Sequence, residues 1–381
     1  MALVIFILIL SILVLIHEFG HYIVAKKNGI RVEEFGMGLP PRIWGKKFGE
    51  TLYSINWLPF GGFVKLTGED FEDRDENDEL KKLEKDPRSF ISKTPLQRIS
   101  VLIAGVTMNF LLAVVLYYVF FAIHGFNSFN IPLFFDYSFK YGNSNISETL
   151  VLDVLPDSPA SIAGVSTGEA IVRVGNKDIG SVEELRDSLI TKLDTPIEVE
   201  LRDLRSIQEN SSRIVTMIPT ADENGNIILG VYLGKSVSLS YDSPLQKTFA
   251  GFLHSINLLD YSVFSFKRII GLSVETHDIT PVSQSVSGPV GIYNVVGSIL
   301  EYKGTGVILS LIDYVALISL SFAFVNIMPF PALDGGRLLF VVIEWIRGKR
   351  ISPIFEANLH KLGMLLLLFL FALVTVKDIF F

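Results

Sequence analysis

The stretch LIHEFGHYIVAKKNG, residues 15–29, sets two histidines and a glutamate near the end of an otherwise uncharged apolar run. His17, Glu18 and His21 fit the pattern H-E-x-x-H. On a helix, residues four apart differ by about 40° in rotation and roughly 6 Å in rise, so both imidazoles face one point. Two such nitrogens suit a zinc ion, with the intervening glutamate placed as base toward a water. Polar residues snorkelling from a helix end would be the bland explanation. His17, however, precedes the first lysine, Lys26, by nine residues, roughly 14 Å along the axis. An acid that deep in an apolar helix costs roughly 2.5–3.5 kcal/mol on insertion scales, which makes it a functional candidate by default.

Composition gives the motif its setting. The 381 residues are 49% hydrophobic and 19% charged, too apolar for an ordinary soluble chain. A net charge of −7 argues against nucleic acid as a partner, which would need a basic face. With no cysteine in the chain, disulfides and thiolate ligands are excluded, while the compartment stays open.

Four stretches read as membrane helices: residues 1–26, 99–123, 313–337 and 357–380. The first lacks the basic start of a leader peptide and is expected to be retained. In the third, Pro329 and Pro331 should break the helix near its end. The fourth spans if Lys361 and Lys377 snorkel. Lys26, Lys27, Arg31, Arg88, Lys93 and Arg98 flank the segment 27–98, and Arg337, Arg347, Lys349, Arg350 and Lys361 flank the third and fourth helices. The long segment between the second and third helices has few bases near its ends. The positive-inside rule then puts 26–98 and 337–361 in the cytosol and 124–312 outside, with both termini outside.

A catalytic zinc usually takes three protein ligands and keeps one open position. His124, His254, His277 and His360 are available in principle, but the first three fall on the outer side and His360 reads as an interfacial residue. Asp334, in NIMPFPALDGGR (326–337), arrives in the same membrane half as His17 and His21 and is the preferred third ligand. A turn at a helix end would account for its Pro, Asp and Gly neighbours equally well.

HEFGH on a first membrane helix, with NIMPFPALDGGR some 300 residues later, resembles the site-2 protease family of intramembrane zinc metalloproteases, and within it the bacterial RseP type. The resemblance runs over essentially the whole chain. It also rests on FGMGLPPRIW and LPFGGFVKLTGED, on AGVTMNF in the second helix, on a single PDZ-like insertion and on SGPVGI (287–292). Asn326, Pro329, Leu333, Asp334 and Gly335 match the family's N-x-x-P-x-x-x-L-D-G pattern. Val106 departs from it, standing where many relatives have proline.

The resemblance implies one Zn2+ per chain held by His17, His21 and Asp334, Glu18 as catalytic base, and Asn326 bonding an unwound substrate backbone. It also implies a single-pass membrane protein as substrate, such as an anti-sigma factor or a remnant signal peptide, and residence in the bacterial cytoplasmic (inner) membrane. The rival from another class is a catalytically idle membrane adaptor that binds partners through its PDZ-like domain and helices. A second rival is a soluble-type zincin tethered to the membrane, with a third ligand on the domain side.

The insertion at 148–235 alternates strands with short helices, as in a small α/β PDZ-like domain. Ser181 with Glu184 reads as a capping box opening the helix SVEELRDSLI. Such a domain takes a peptide along a sheet edge or serves as a rigid size filter, and the sequence leaves both open. Residues 50–66 read as a β-hairpin flanking Pro59, Gly61 and Gly62, placed within the cytosolic-side loop 27–98. By resemblance this loop dips toward the active site and offers an edge to the substrate. The charge-rich run 69–86 reads as a solvated connector. Apolar residues at helical spacing within 242–312 read as an amphipathic helix on the outer membrane surface, followed by a linker. The expected fold is therefore a polytopic α-helical membrane protein of four transmembrane helices, with an inserted PDZ-like domain and a membrane-associated β-hairpin.

Overall fold

Uncharged runs of bilayer length become four long helices in the computed structural model, which describes residues 1–69, 82–203, 212–222, 226–301 and 306–380. These are α1 (Ala2–Lys27), α2 (Pro95–Ile123), α6 (Gly306–Ile327) and α8 (Pro353–Phe380), each long and apolar enough to cross a membrane. Between α2 and α6 lie α3 (Val182–Leu189), α4 (Ala250–Thr276) and α5 (Pro289–Leu300), and α7 (Asp334–Arg347) follows α6. Local chemistry sets the ends of these helices. Gln97 N–H donates to the Thr94 hydroxyl, while the Gln97 side chain accepts from Thr94 N–H. With Pro95 in the first turn, this capping box starts α2.

The third long helix departs from its expected limits. It begins at Gly306, so Asp313 lies inside it, and it ends at Ile327. Pro329 and Pro331 supply no N–H and clash with a preceding turn, and Asp334 opens a separate helix, α7. Glycine is required at the start of α7. A Cβ on Gly335 would overlap the carbonyls of Met328 and Ile327, and one on Gly336 would overlap that of Phe330. The first turn of α7 therefore closes directly onto the proline turn.

The chain divides into two compact units. The first comprises Met1–Leu116, Ile269–Lys303 and Leu311–Phe381. Within it α1 packs closely on α2, since a Cβ on Gly20 would strike the Ala104 carbonyl. Arg98, buried, and Glu344, half-buried, form an ion pair that ties α2 to α7. Asp378, at the end of α8, accepts the N–H groups of Gly288 and Gly291 at 2.7 and 3.0 Å, satisfying orphan donors at the start of α5. These glycines belong to SGPVGI, so that stretch anchors one helix on another.

The segment 27–69 also belongs to the first unit. Here β1 (Val32–Phe48) pairs antiparallel with β2 (Thr51–Leu66). The sequence expectation of a hairpin confined to 50–66 needs correction: its two halves do not pair with each other. Residues 51–56 pair with Arg42–Phe48 about the turn at Gly49, and 62–66 pair with Val32–Met37. Gly36 stands beside both Phe63 and Ser54, so the ladder curls back on itself. The missed strand, 32–48, holds two prolines and three glycines, which mask its β pattern. Of the charge-rich run 69–86, residues 70–81 lie outside the described residues.

The second unit, Tyr117–Arg268 with Gly304–Ser310, is built on a seven-stranded sheet. Its strands are β3 (Ile131–Leu133), β4 (Asn143–Val154), β5 (Glu169–Val174), β6 (Ile197–Asp203), β7 (Ser212–Met217) and β8 (Val231–Ser240), with Lys177–Asp178 paired beside β5. Along the sheet the order is β3-β8-β4-β5-β6-β7. The sheet thus reaches beyond 148–235 on both sides, because β4 and β8 continue as a pair to Asn143 and Ser240. Val151, Ile171, Val199, Leu201 and Met217 form its core with Leu185 and Leu189 of α3. The Ser181 cap forms as read, accepting Glu184 N–H. The Glu184 carboxylate reaches one residue further back than in a capping box, accepting the N–H of Gly180 at 2.7 Å.

Candidate metal centre

Helical spacing on α1 does what the pattern requires. His17 Nε2 and His21 Nε2 lie 3.2 Å apart, and both residues are buried. The proline turn and the first turn of α7 bring in Asp334, whose Oδ2 is 2.9 Å from His17 Nε2 and 3.3 Å from His21 Nε2. The three donor atoms lie within 4.8 Å of one another. Two imidazole nitrogens and one carboxylate oxygen, with one position left for water, match the donor set of a catalytic zinc. The residues fit the metal.

The supports of the histidines come from α2. His21 Nδ1 donates to the backbone carbonyl of Val101 at 2.8 Å, which fixes the tautomer with the Nε2 lone pair aimed at the cluster. A Cβ on Gly105 would fall on His21 Nε2 and within 2.7 Å of His17 Nε2. Asn109, fully buried, faces His17 Nδ1 with its amide at 3.5 Å. Val101, Gly105 and Asn109 are spaced by four, so one stripe of α2 backs both imidazoles.

Glu18 sits beside the pair, and its Oε2 accepts the N–H of Val64 at 3.0 Å. The strand segment leading to Val64 follows α1: the Ser11 hydroxyl donates to the Pro59 carbonyl at 2.8 Å. A Cβ on Gly62 would reach Leu15 at 3.3 Å and Glu18 at 3.8 Å. β2 therefore lies against the face of α1 that carries Ser11, Leu15 and Glu18.

Of the residues singled out in the sequence, His17, His21 and Asp334 converge and Glu18 adjoins them. Asn326 is half-buried in the last turn of α6 and takes no part in the hydrogen bonds of the cluster among the described residues. His360, expected as an interfacial residue, is half-buried and has a specific backbone partner. Its Nδ1 accepts the N–H of Ala332 at 2.9 Å. Ala332 has φ 80°, a costly backbone conformation for an L side chain, so His360 braces the turn that delivers Asp334. His254 belongs to the second unit, buried among Tyr117, Phe121 and Tyr241. Burial pushes its imidazole down to about 3.

Sequence reasoning passed over the α2 stripe and weighed His360 only as a metal ligand or an interfacial residue. An asparagine in a charge-free membrane helix was the available signal, because an amide there needs a partner.

The model of peptidase family M50 matches residues 5–370. A Clostridium perfringens protein carried under a zinc metalloprotease name is 33% identical over 97% of this chain and 96% of its own. Zinc metalloprotease RasP of Oceanobacillus iheyensis is 28% identical over 98% and 97%, and RasP of Geobacillus kaustophilus 26% over 98% and 96%. Among solved structures, the PDZ domain of an SdrC-like protein from Listeria monocytogenes aligns with 23% of this chain and 87% of its own, at 19% identity and TM-score 0.20. The chain belongs to peptidase family M50, the site-2 protease family, and is a bacterial membrane metalloprotease.

Proposed function

We propose that this chain is an intramembrane zinc endopeptidase that cleaves the membrane segments of single-pass proteins. His17, His21 and Asp334 hold one zinc ion, and Glu18 is the catalytic base. The observation that carries the reading is the meeting of these three donors from α1 and α7, with a carboxylate next to them. That all four groups are present tells against the idle adaptor. Bound zinc supplies Lewis-acid polarisation of the scissile carbonyl and acidifies water.

Glu18 takes a proton from the attacking water on its carboxylate and delivers it to the departing amine. A helical substrate hides its amides in its own hydrogen bonds and must be unwound before attack. The membrane-associated β1–β2 pair offers the means. Residues 62–66 pair with β1 on one side, and Val64 turns its N–H toward Glu18, so the substrate joins this edge as an added strand. Asn326 bonds the unwound backbone at the end of α6.

The sheet unit is a PDZ-like domain on the extracytoplasmic face, placed there by the lysine and arginine bias of the flanking segments. It serves as a peptide-binding module or a size filter that admits chains already trimmed by another protease. Anti-sigma factors and remnant signal peptides are the substrate classes that the family resemblance favours.

The test uses full-length wild type and Glu18→Gln in detergent, with bound zinc measured and both assayed on a model transmembrane substrate. About one zinc in each, with cleavage by wild type alone, is the expected result. A wild type that holds no zinc would overturn the reading.

A further inference from the structure

Resting on that metal reading, we infer that Asn109 is a positioning residue for the zinc site, holding His17 in the tautomer that presents Nε2 to the metal. For Nε2 to offer a lone pair, His17 Nδ1 must carry the proton. The group facing Nδ1 is the side-chain amide of Asn109, which is placed with Nδ2 at 3.5 Å. An amide presents either a carbonyl oxygen or an NH2 along the same direction, and the two are told apart by the hydrogen-bond network. With Nδ1 protonated, only the oxygen is compatible, because two N–H groups would otherwise meet head on. As placed, Asn109 Oδ1 is buried without a partner among the described residues, so no bond to the oxygen holds the amide in that sense, and turning it over points Oδ1 at His17 Nδ1.

Three further observations point to a built arrangement. Asn109 is completely buried, where an amide that served nothing would cost free energy with no return. Its backbone carbonyl accepts the Ser319 hydroxyl at 2.8 Å, so α6 pins α2 at this residue. His21 is held in the same way, by the Val101 carbonyl two turns earlier on the same stripe of α2. Each ligand histidine thus has an acceptor on α2, one a backbone carbonyl and one a side-chain carbonyl. Partners of this kind orient the ring and raise its basicity, and their loss typically costs about 10–100-fold in metal affinity.

The test compares zinc affinity, by chelator competition on the full-length protein in detergent, for wild type, Asn109→Leu and Asn109→Asp. Thermal stability of the zinc-free forms is measured alongside. Asn109→Leu keeps the shape and loses the acceptor, so zinc binding should weaken about 10–100-fold. Asn109→Asp keeps the acceptor and should stay within a few-fold of wild type. Wild-type affinity in Asn109→Leu would overturn the assignment. So would an Asn109→Asp affinity about 10-fold or more below wild type, a comparison with wild type that stands even if the leucine variant fails to fold. A purely structural role would lower zinc-free stability and leave affinity unchanged, which also counts against it. A wild type without zinc would instead bring down the metal reading on which this inference stands.

Discussion

The carboxylate of Glu18 accepts the backbone N–H of Val64 at 3.0 Å, across 46 residues of sequence. One bond therefore joins the proposed base on α1 to the strand that passes beside it. A charge-assisted bond of this type fixes a carboxylate rotamer that would otherwise be free to turn away.

Val64→Pro removes that N–H while keeping an extended backbone, as proline does on a sheet edge. A hydrogen bond to a charged group is worth about 1.5–3 kcal/mol. If orientation of Glu18 depends on it, kcat/KM should fall about 10–100-fold with the zinc content unchanged. Single-turnover cleavage beside metal analysis checks this, and undiminished cleavage would show that Glu18 is held by other means.

Gly105 is the residue on α2 whose absent side chain leaves room for both imidazoles. Gly105→Ala would put a methyl group on His21 Nε2 and next to His17 Nε2. A misplacement of about 1 Å at reacting groups costs on the order of 100-fold in rate. Loss of bound zinc and of cleavage is expected, with helix content by circular dichroism as in wild type. Full zinc occupancy in the variant would mean that α1 and α2 separate more easily than their packing implies.

His254 carries a pH prediction for the second unit. Its imidazole is buried, and Tyr241 lies 3.1 Å from Nδ1, where the phenol donates to the neutral ring. Burial holds its folded-state value at about 3, against 6.5 for the free side chain. Between those values the unfolded chain binds the proton and the folded chain does not, so stability falls as pH drops below 6.5. The slope should be up to about 1.4 kcal/mol per pH unit. His254→Phe removes the titrating group, so its unfolding midpoint should change less than that of wild type between pH 7 and 5. Parallel curves for the two proteins would remove His254 as the cause.

The two histidines and Glu18 were legible because a helix turns spacing into direction, and because polar groups inside an apolar run are costly. Asp334 was legible only through depth: two separate motifs pointed to the same half of the membrane. The new helix at Asp334 was half visible, since the prolines announced a break but gave no sign of what followed. Strand pairing in 27–69 was not readable at all. Its register rests on Gly36 fitting between Phe63 and Ser54, and prolines and glycines obscure any alternation in the sequence. The support that His360 gives the turn at Ala332 was not readable either, because backbone strain leaves no mark in the sequence.

Taken alone, the sequence determined the local matters. It set four apolar runs of spanning length and a pair of histidines one helical turn apart. It also placed a serine cap before α3 and proline stops after α6. These depend on neighbours within a few residues, where backbone geometry is nearly fixed by residue type. Tertiary structure alone decided which carbonyl holds His21, which amide faces His17, which strand meets Glu18 and which imidazole supports the turn before Asp334. Those partners lie between 28 and 92 positions apart in the chain. Contacts at that separation are settled by how closely helices and strands pack, which no local pattern encodes.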